Sequence, residues 1–493
     1  MEQEESICSP SHAGASSGEQ YWCNKSEIIK ELKKQTRLAG PLVVVSFLQY
    51  SFLMISIMFV GHLGKLSLAS ASMATAFASA TGFSFMLGMG GALDTFCGQA
   101  YGAKQYNMVG VHMQRAMAVL AFMSLPISLL WAFTAQIFIT CKQDREISMH
   151  AGVYARWLIP SLLPYGLLQC QQRFLQAQNT TLPLIISAAL STAISYWFNV
   201  FIFAMYIKFS PTCSQTWTGF SIDGRKKLLN FLKLGMPSAL MVCFEFCAYE
   251  GLVLMSGLLP NPTLETSMMS ISLNISAGVF RIPYGFGSAV STRVSNELGA
   301  GNPRAASLAV KVVMLLAITE SLSLSLITVA LRNYLGHLYS NDDEVIRYLA
   351  SIIPILAVSN FIDGIQGVLS GTARGCGWQK LAAYVTLGSY YLVGLPSAIL
   401  LTFVFKVGGK GLWLGIMCGS SSHVLFLAVI TMRTNWKLQA VKARERVYGS
   451  TVATSIQSNQ ESEENNGVQG VESASDAFRG PEIRDFCSPQ EGF

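Results

Sequence analysis

Leu381–Phe405 reads LAAYVTLGSYYLVGLPSAILLTFVF, a run without a single Asp, Glu, Lys or Arg. Coiled as a helix, such a run is long enough to cross about 30 Å of hydrocarbon. Leu38–Gly61, Leu66–Leu93, Ala116–Cys141 and Gly411–Met432 share its uncharged character. Ile147–Gln172, Leu228–Leu259, Leu264–Val290, Val312–Leu331 and Val345–Ala373 are equally long, each with an ionisable or helix-breaking residue. With Phe174–Ile207 they make eleven apolar stretches between Leu38 and Met432, which predicts an all-α integral membrane protein.

Composition agrees: of 493 residues 51% are hydrophobic and 13% charged, and the mean hydropathy is +0.41. Met1–Tyr21 is polar and lacks the pattern of a cleaved signal peptide, so the first span is expected to direct insertion. The net charge of +6 gathers in Lys25–Arg37, Arg225–Lys233 and Arg433–Arg446. Beside apolar spans such clusters read as cytoplasmic flanks rather than a nucleic-acid surface. The eleven cysteines show no repeated short spacing, and the histidines, among them His62, His112, His150, His337 and His423, show no paired spacing. No metal or cofactor is expected.

The two halves of the chain resemble each other in register. Pro41 matches Pro237; Gly88, Gly102 and Ala103 match Gly285, Gly299 and Ala300; Pro160 and Gln172 match Pro354 and Gln366. A nearly constant offset of 194 to 197 residues marks a duplicated bundle, two lobes about a pseudo-twofold axis. Basic residues recur at the same place in both, Lys104 and Arg115 against Arg293, Arg304 and Lys311, so the lobes should share one orientation. That needs an even number of crossings in the first lobe, yet Gln172 to Ile207 is 31 residues shorter than Gln366 to Met432. One straight crossing by Phe174–Ile207 would put the basic segment Arg225–Lys233 outside.

Several runs carry a family resemblance: Ser291–Pro303 (STRVSNELGAGNP), Ser195–Val200 (SYWFNV), Ile365–Gln379 (IQGVLSGTARGCGWQ), and the pair Glu245 and Glu250. Over roughly Lys25 to Arg446 the chain resembles plant multidrug and toxic compound extrusion (MATE) transporters, the DETOXIFICATION group. The resemblance implies twelve transmembrane helices in two six-helix lobes, alternating access, and export of organic solutes driven by entry of protons or sodium ions. Against that pattern the fifth and sixth helices appear fused near Ser187–Leu190, leaving about eleven spans.

Glu245 and Glu250 fall in the middle of the span that opens the second lobe, where a charge costs roughly 2.5–3.5 kcal/mol. Desolvation disfavours the ionised form of a carboxylic acid, the property a proton carrier needs. Five helical residues separate the pair by about 7.5 Å along the axis and about 140° around it, so they do not face one partner without a bend such as Pro237 can supply. Asp363 is the other acid deep in a span, and the resemblance assigns it to the second lobe's acidic cluster. Glu245, Glu250 and Asp363 are the expected coupling and substrate site, with Asn199 lining the cavity from the first lobe. Phe244, Phe246, Tyr249, Tyr284 and Arg281 are candidate cavity walls, flat faces for flat substrates plus one cation to neutralise an acid. Asp94, Arg293 and Glu297 are expected to pair with one another near the repeated Gly-Ala turns, and Glu320 to reach the interface from the start of its span.

The chain lacks a phosphate loop, a His-Glu metal pair and a nucleophile with a base at motif spacing, which argues against an enzyme or a nucleotide-driven pump. The expected organisation is an N-terminal tail (1–36), first lobe (37–208), linker (209–234), second lobe (235–433) and disordered tail (434–493). The expected function is a monomeric antiporter in the plasma or vacuolar membrane, exchanging xenobiotics and cationic or phenolic metabolites for protons. A flippase of related architecture and an inactive or regulatory isoform are the alternatives.

Overall fold

The computed structural model describes residues 25–61, 65–141, 143–180, 196–224, 226–339 and 343–449. One compact unit takes in the chain to Val447, and a second begins at Tyr448. Among the described residues the first unit is helical throughout: α1 (Lys25–Gly61), α2 (65–102, with a π-turn at Ser79–Phe83), α3 (Tyr106–Ala132), α4 (Arg145–Ala177) and α5 (Tyr196–Phe209). After a linker come α6 (Leu228–Ser256), α7 (Pro262–Gly299), α8 (Pro303–Ala330), α9 (Asp343–Cys376), α10 (Gln379–Val404) and α11 (Gly409–Met432). Seven of these are long and apolar enough to cross a membrane by their own composition. Along α3, Phe122, Leu125 and Leu129 are each more than 60% exposed, as a lipid-facing stripe would be.

The duplication is visible in the backbone. Both ends of α7 lie 197 residues beyond those of α2. The turn after α2 reverses at Lys104 with φ +59°, and the turn after α7 at Gly301 with φ +79°. The caps of α4 and α9 match too: Thr180 N donates to Leu175 O and Asn179 N to Gln176 O, as Trp378 N donates to Ala373 O and Gly377 N to Arg374 O. Each ends its helix through a left-handed residue, Asn179 or Gly377.

The repeated glycines sit where the halves touch. A Cβ on Gly88 would stand 2.6 Å from Ala239 Cα, and one on Gly285 2.9 Å from Val43 N. Likewise Gly102 abuts Asn296 O and Gly299 abuts Gln99 O, at 1.9 and 2.1 Å from their ideal Cβ positions. These are mirrored contacts, each glycine of one half on the backbone of the other, and any side chain there would force the halves apart.

The first lobe's shortfall falls after α4. Phe174–Ile207 is not one helix, because the cap at Asn179 stops α4, and α5 is described from Tyr196; the Ser187–Leu190 junction lies outside the described residues. From the end of α9 to the end of α11 is 56 residues, from the end of α4 to the end of α5 only 32, a deficit of 24 rather than 31. The helix without a described counterpart is α10. Nevertheless α4 and α5 run parallel: Gln171 Nε2 donates to Val200 O (3.2 Å), and beyond the two helix ends Thr216 Oγ1 donates to Gln178 Oε1 (2.9 Å). The linker therefore returns to the face of the molecule that carries Lys104. There Gln114 Nε2 donates to Gly219 O (2.7 Å) and Arg115 Nη2 to Asp223 O (3.2 Å). A single straight crossing would have placed it on the opposite face, so the orientation conflict read from the sequence is resolved in favour of matching lobes.

Both expected outer boundaries move. α1 is described from Lys25, and Glu31, 5% exposed, accepts Arg293 Nη2 of α7 at 3.0 Å, so residues 25–36 are folded rather than tail. After α11 the chain does not turn into a tail at 434. A helix α12 (436–447) buries Ala440 and Ala443, Trp378 Nε1 donates to Gln439 Oε1 (3.2 Å), and Arg446 reaches Gln99 Oε1 (2.9 Å) and Cys376 O (3.2 Å). Its apolar stripe is narrow, Trp436, Ala440, Ala443 and Val447 at helical spacing, so the segment reads as polar overall.

Candidate functional site

Two of the three expected acids come together. Asp363, midway along α9 and 5% exposed, accepts Tyr249 Oη of α6 at 3.1 Å on Oδ1 and Ser359 Oγ at 3.4 Å on Oδ2. Tyr249 Oη and Tyr390 Oη of α10 each lie 3.3 Å from Ser420 Oγ of α11. Four helices of the second half thus converge on one carboxylate, each through a hydroxyl or the acid itself. Glu245 of α6 is half-buried, near Gln366 of α9 and close enough to Asp363 for the two carboxylates to act on each other. Gln366 stands three residues beyond Asp363, so both project from one face of α9.

Glu250 does not join them. It lies about 140° around α6 from Glu245, beside Cys247. Pro237 precedes both acids, Glu245 by about two turns and Glu250 by more than three, so a bend there swings them together and leaves the angle between them unchanged. Phe244 packs edge-on against Tyr391 of α10 (5.7 Å) on the rim of the acid pair, and Phe246 is half-buried. Tyr249 is a hydrogen-bond donor to the acid rather than an apolar wall.

Other expectations resolve differently. Among the described residues Arg281 meets no acid: its guanidinium lies 4.9 Å over the Tyr50 ring, with Nε on Ala277 O (3.2 Å). Tyr284 accepts Arg173 Nη2 at 3.0 Å, which ties it to α4. Asn199 is 1% exposed inside the first lobe's core rather than on a cavity surface. Arg293 pairs with Glu297 (2.7 Å) and Glu31, whereas Asp94 pairs with Arg173 (3.2 Å) and Arg374 (3.3 Å). Glu320 stands well past the middle of α8, because that helix begins at Pro303 and not at Val312.

A cavity of about 800 Å³ lies away from the acids, between α3, α4, α5 and the linker, lined by Met117, Leu167, Ala204 and Trp217, with Lys208 the sole charged residue among its described lining.

Sequence reasoning missed Tyr390, Ser359 and Ser420. The i,i+4 spacing of Ser359 and Asp363 was the available signal for that contact, whereas hydroxyls are common in membrane helices and no spacing rule joins Tyr390 or Ser420 to Asp363.

Comparison with known proteins fits this geometry. The MatE family model matches residues 41–201 and again 237–400, two copies that begin 196 residues apart, like Pro41 and Pro237. Protein DETOXIFICATION 16 of Arabidopsis thaliana is 52% identical over 452 residues, covering 87% of this chain and 93% of that protein. Since 87% of 493 residues is about 429, about 23 aligned positions have no residue here, close to the 24 missing after α4. Protein DETOXIFICATION 17 of the same plant is also 52% identical, covering 85% of this chain and 94% of that one. The crystal structure of the eukaryotic MATE transporter AtDTX14 superposes with TM-score 0.82 at 42% identity, over 85% of this chain and 100% of that one. Two copies of the family model, relatives at half identity along nearly their whole length and a shared fold establish that the chain is a multi-pass membrane transporter of the MATE family.

Proposed function

We propose that the chain is a secondary active exporter that moves organic solutes, cationic or phenolic, out of the cytoplasm against protons by alternating access, with Glu245 and Asp363 as proton carriers. The observation that carries this reading is the convergence of α6, α9, α10 and α11 on Asp363, with Glu245 half-buried alongside. Hydroxyl donors hold Asp363 in place. Two carboxylates that act on each other ionise in turn rather than together, so one site can exchange a proton for a cationic solute. The acid pair attracts cations more strongly than it would in water, and neutral phenolics are not repelled.

The test is efflux by the full chain in vesicles with an imposed proton gradient. Glu245→Gln and Asp363→Asn are expected to insert normally and to lose gradient-driven efflux; full transport by both would remove the assignment. A sodium gradient in place of the proton gradient is expected to drive nothing.

The 24-residue deficit after α4 favours a second reading, an inactive or regulatory form. Restoring a segment of that length from a relative at this point would then switch on efflux that the chain as it stands lacks.

A further inference from the structure

On the basic face a helix outside the spans grips both halves at once. α11 ends at Met432, and Asn435 starts α12 by accepting Leu438 N on its side-chain oxygen (3.2 Å). The helix docks on the second half. Ala440 and Ala443 are buried in one cluster with Val294 and Leu298 of α7 and Val310 of α8, while Trp378, just past α9, donates to Gln439 and lies 6.4 Å from the Trp436 ring. Two left-handed glycines make room for its arginines: a Cβ on Gly301 would stand 2.7 Å from Arg444 Nη2, and one on Gly377 2.6 Å from Arg446 Nη1. α12 therefore lies across the turns that follow α7 and α9.

From there Arg446 reaches across to the first half. Its Nη2 donates to Cys376 O (3.2 Å), one of the carbonyls that the end of α9 leaves without a helical partner, and its Nη1 donates to Gln99 Oε1 of α2 (2.9 Å). Gln99 is 1% exposed, and its Nε2 donates to the neighbouring carbonyl, Gly375 O (3.3 Å). One guanidinium and one amide thus tie α2 to the end of α9. At the same level Gln379 Nε2 donates to Thr95 Oγ1 (2.7 Å), and a Cβ on Gly299 would stand 2.1 Å from Gln99 O, so the halves are in backbone contact and the cytoplasmic side is shut. The segment after α5 behaves differently: it binds Gln114, Arg115 and Gln178, all of its own half. Any path that opens to the cytoplasm between the halves draws Gln99 away from α9 and leaves Arg446 with a carbonyl and no amide.

We propose that α12 is a latch on the cytoplasmic side, and that Arg446 is a positioning residue for the transport cycle, favouring the closed arrangement by holding Gln99 of one half and Cys376 of the other. The fork is what the position needs. Two acceptors in different halves call for two N–H groups at a fixed angle, which a guanidinium has and an ammonium lacks. The inference rests on alternating access, as in the function proposed above.

Pulsed electron–electron double resonance on the full chain in lipid nanodiscs tests it. Spin labels go on Asn107→Cys in the first turn of α3 and Asn302→Cys before α8, both exposed, with the other reactive cysteines changed to serine. Arg446→Ala is expected to raise the share of the longer cytoplasmic distance by about threefold or more. Gln99→Ala should do at least as much, since it also loses Gly375, and the double variant should match Gln99→Ala alone, because both changes remove one shared contact. Arg446→Lys should resemble Arg446→Ala, which separates the fork from the charge. In vesicles Arg446→Ala should lower the solute concentration for half-maximal efflux by a similar factor. Unchanged distances in both Arg446→Ala and Gln99→Ala would overturn the latch, even with normal efflux by the wild type. Lengthened distances in a chain that shows no gradient-driven efflux would instead remove the proposed function and leave the latch standing.

Discussion

The two halves of this transporter share a frame and differ in chemistry. α2 and α7 have bounds 197 residues apart, and their glycines make mirrored contacts across the interface. Yet the position 196 residues before Glu245 is Gln49, and the position 197 residues beyond Asp94 is Ser291. Backbone packing at a twofold-like interface constrains both copies alike, because each glycine needs the other half's backbone. Titratable side chains are under no such constraint. Under the proposed function coupling belongs to the second half, while Asp94 of the first half faces two arginines and helps to fasten the halves together.

The sharpest way to break this asymmetry is to move the acid. Glu245→Gln is expected to reduce gradient-driven efflux to background, and adding Gln49→Glu should not restore it; recovery in the double variant would show that the halves are interchangeable. Next in size are Gly102→Leu and Gly299→Leu, which drive a side chain into the partner half's backbone. Each should cost about 1–3 kcal/mol or more and lower the thermal midpoint in detergent by similar amounts. A tolerant site in one half only would mean that the mirrored contacts do not carry equal load. Tyr249→Phe removes one hydrogen bond to Asp363, worth about 1 kcal/mol, and should shift the proton concentration for half-maximal efflux by about fivefold. Glu250→Gln should change efflux by less than about twofold, since Glu250 lies off the acid pair.

Much of this was legible in the residues, because hydropathy and repetition are local signals. The uncharged run Leu381–Phe405 and the register of Gly102 with Gly299 lead to helices and to a duplicated interface without any contact information. The angular separation of Glu245 and Glu250 follows from helix geometry and explains why, against the expected three-acid site, only Glu245 lies near Asp363. What stayed hidden depends on packing between distant segments. Asp94 lies 79 residues from Arg173 and 280 from Arg374, and no spacing rule joins them. α12 was passed over because its apolar stripe uses two alanines, which add little hydropathy but allow close approach to the helix ends. Asn179, a common left-handed cap, was the available signal that Phe174–Ile207 is not one helix.

Proton release on solute binding tests the central claim most directly, because it needs neither a gradient nor a turnover. Detergent-solubilised protein in weakly buffered solution, titrated with a cationic dye that it exports, is expected to release protons in proportion to the dye bound, and Glu245→Gln/Asp363→Asn to bind the dye with no release. Undiminished release by the double variant would place the exchanged proton elsewhere and contradict a coupling site in the second half.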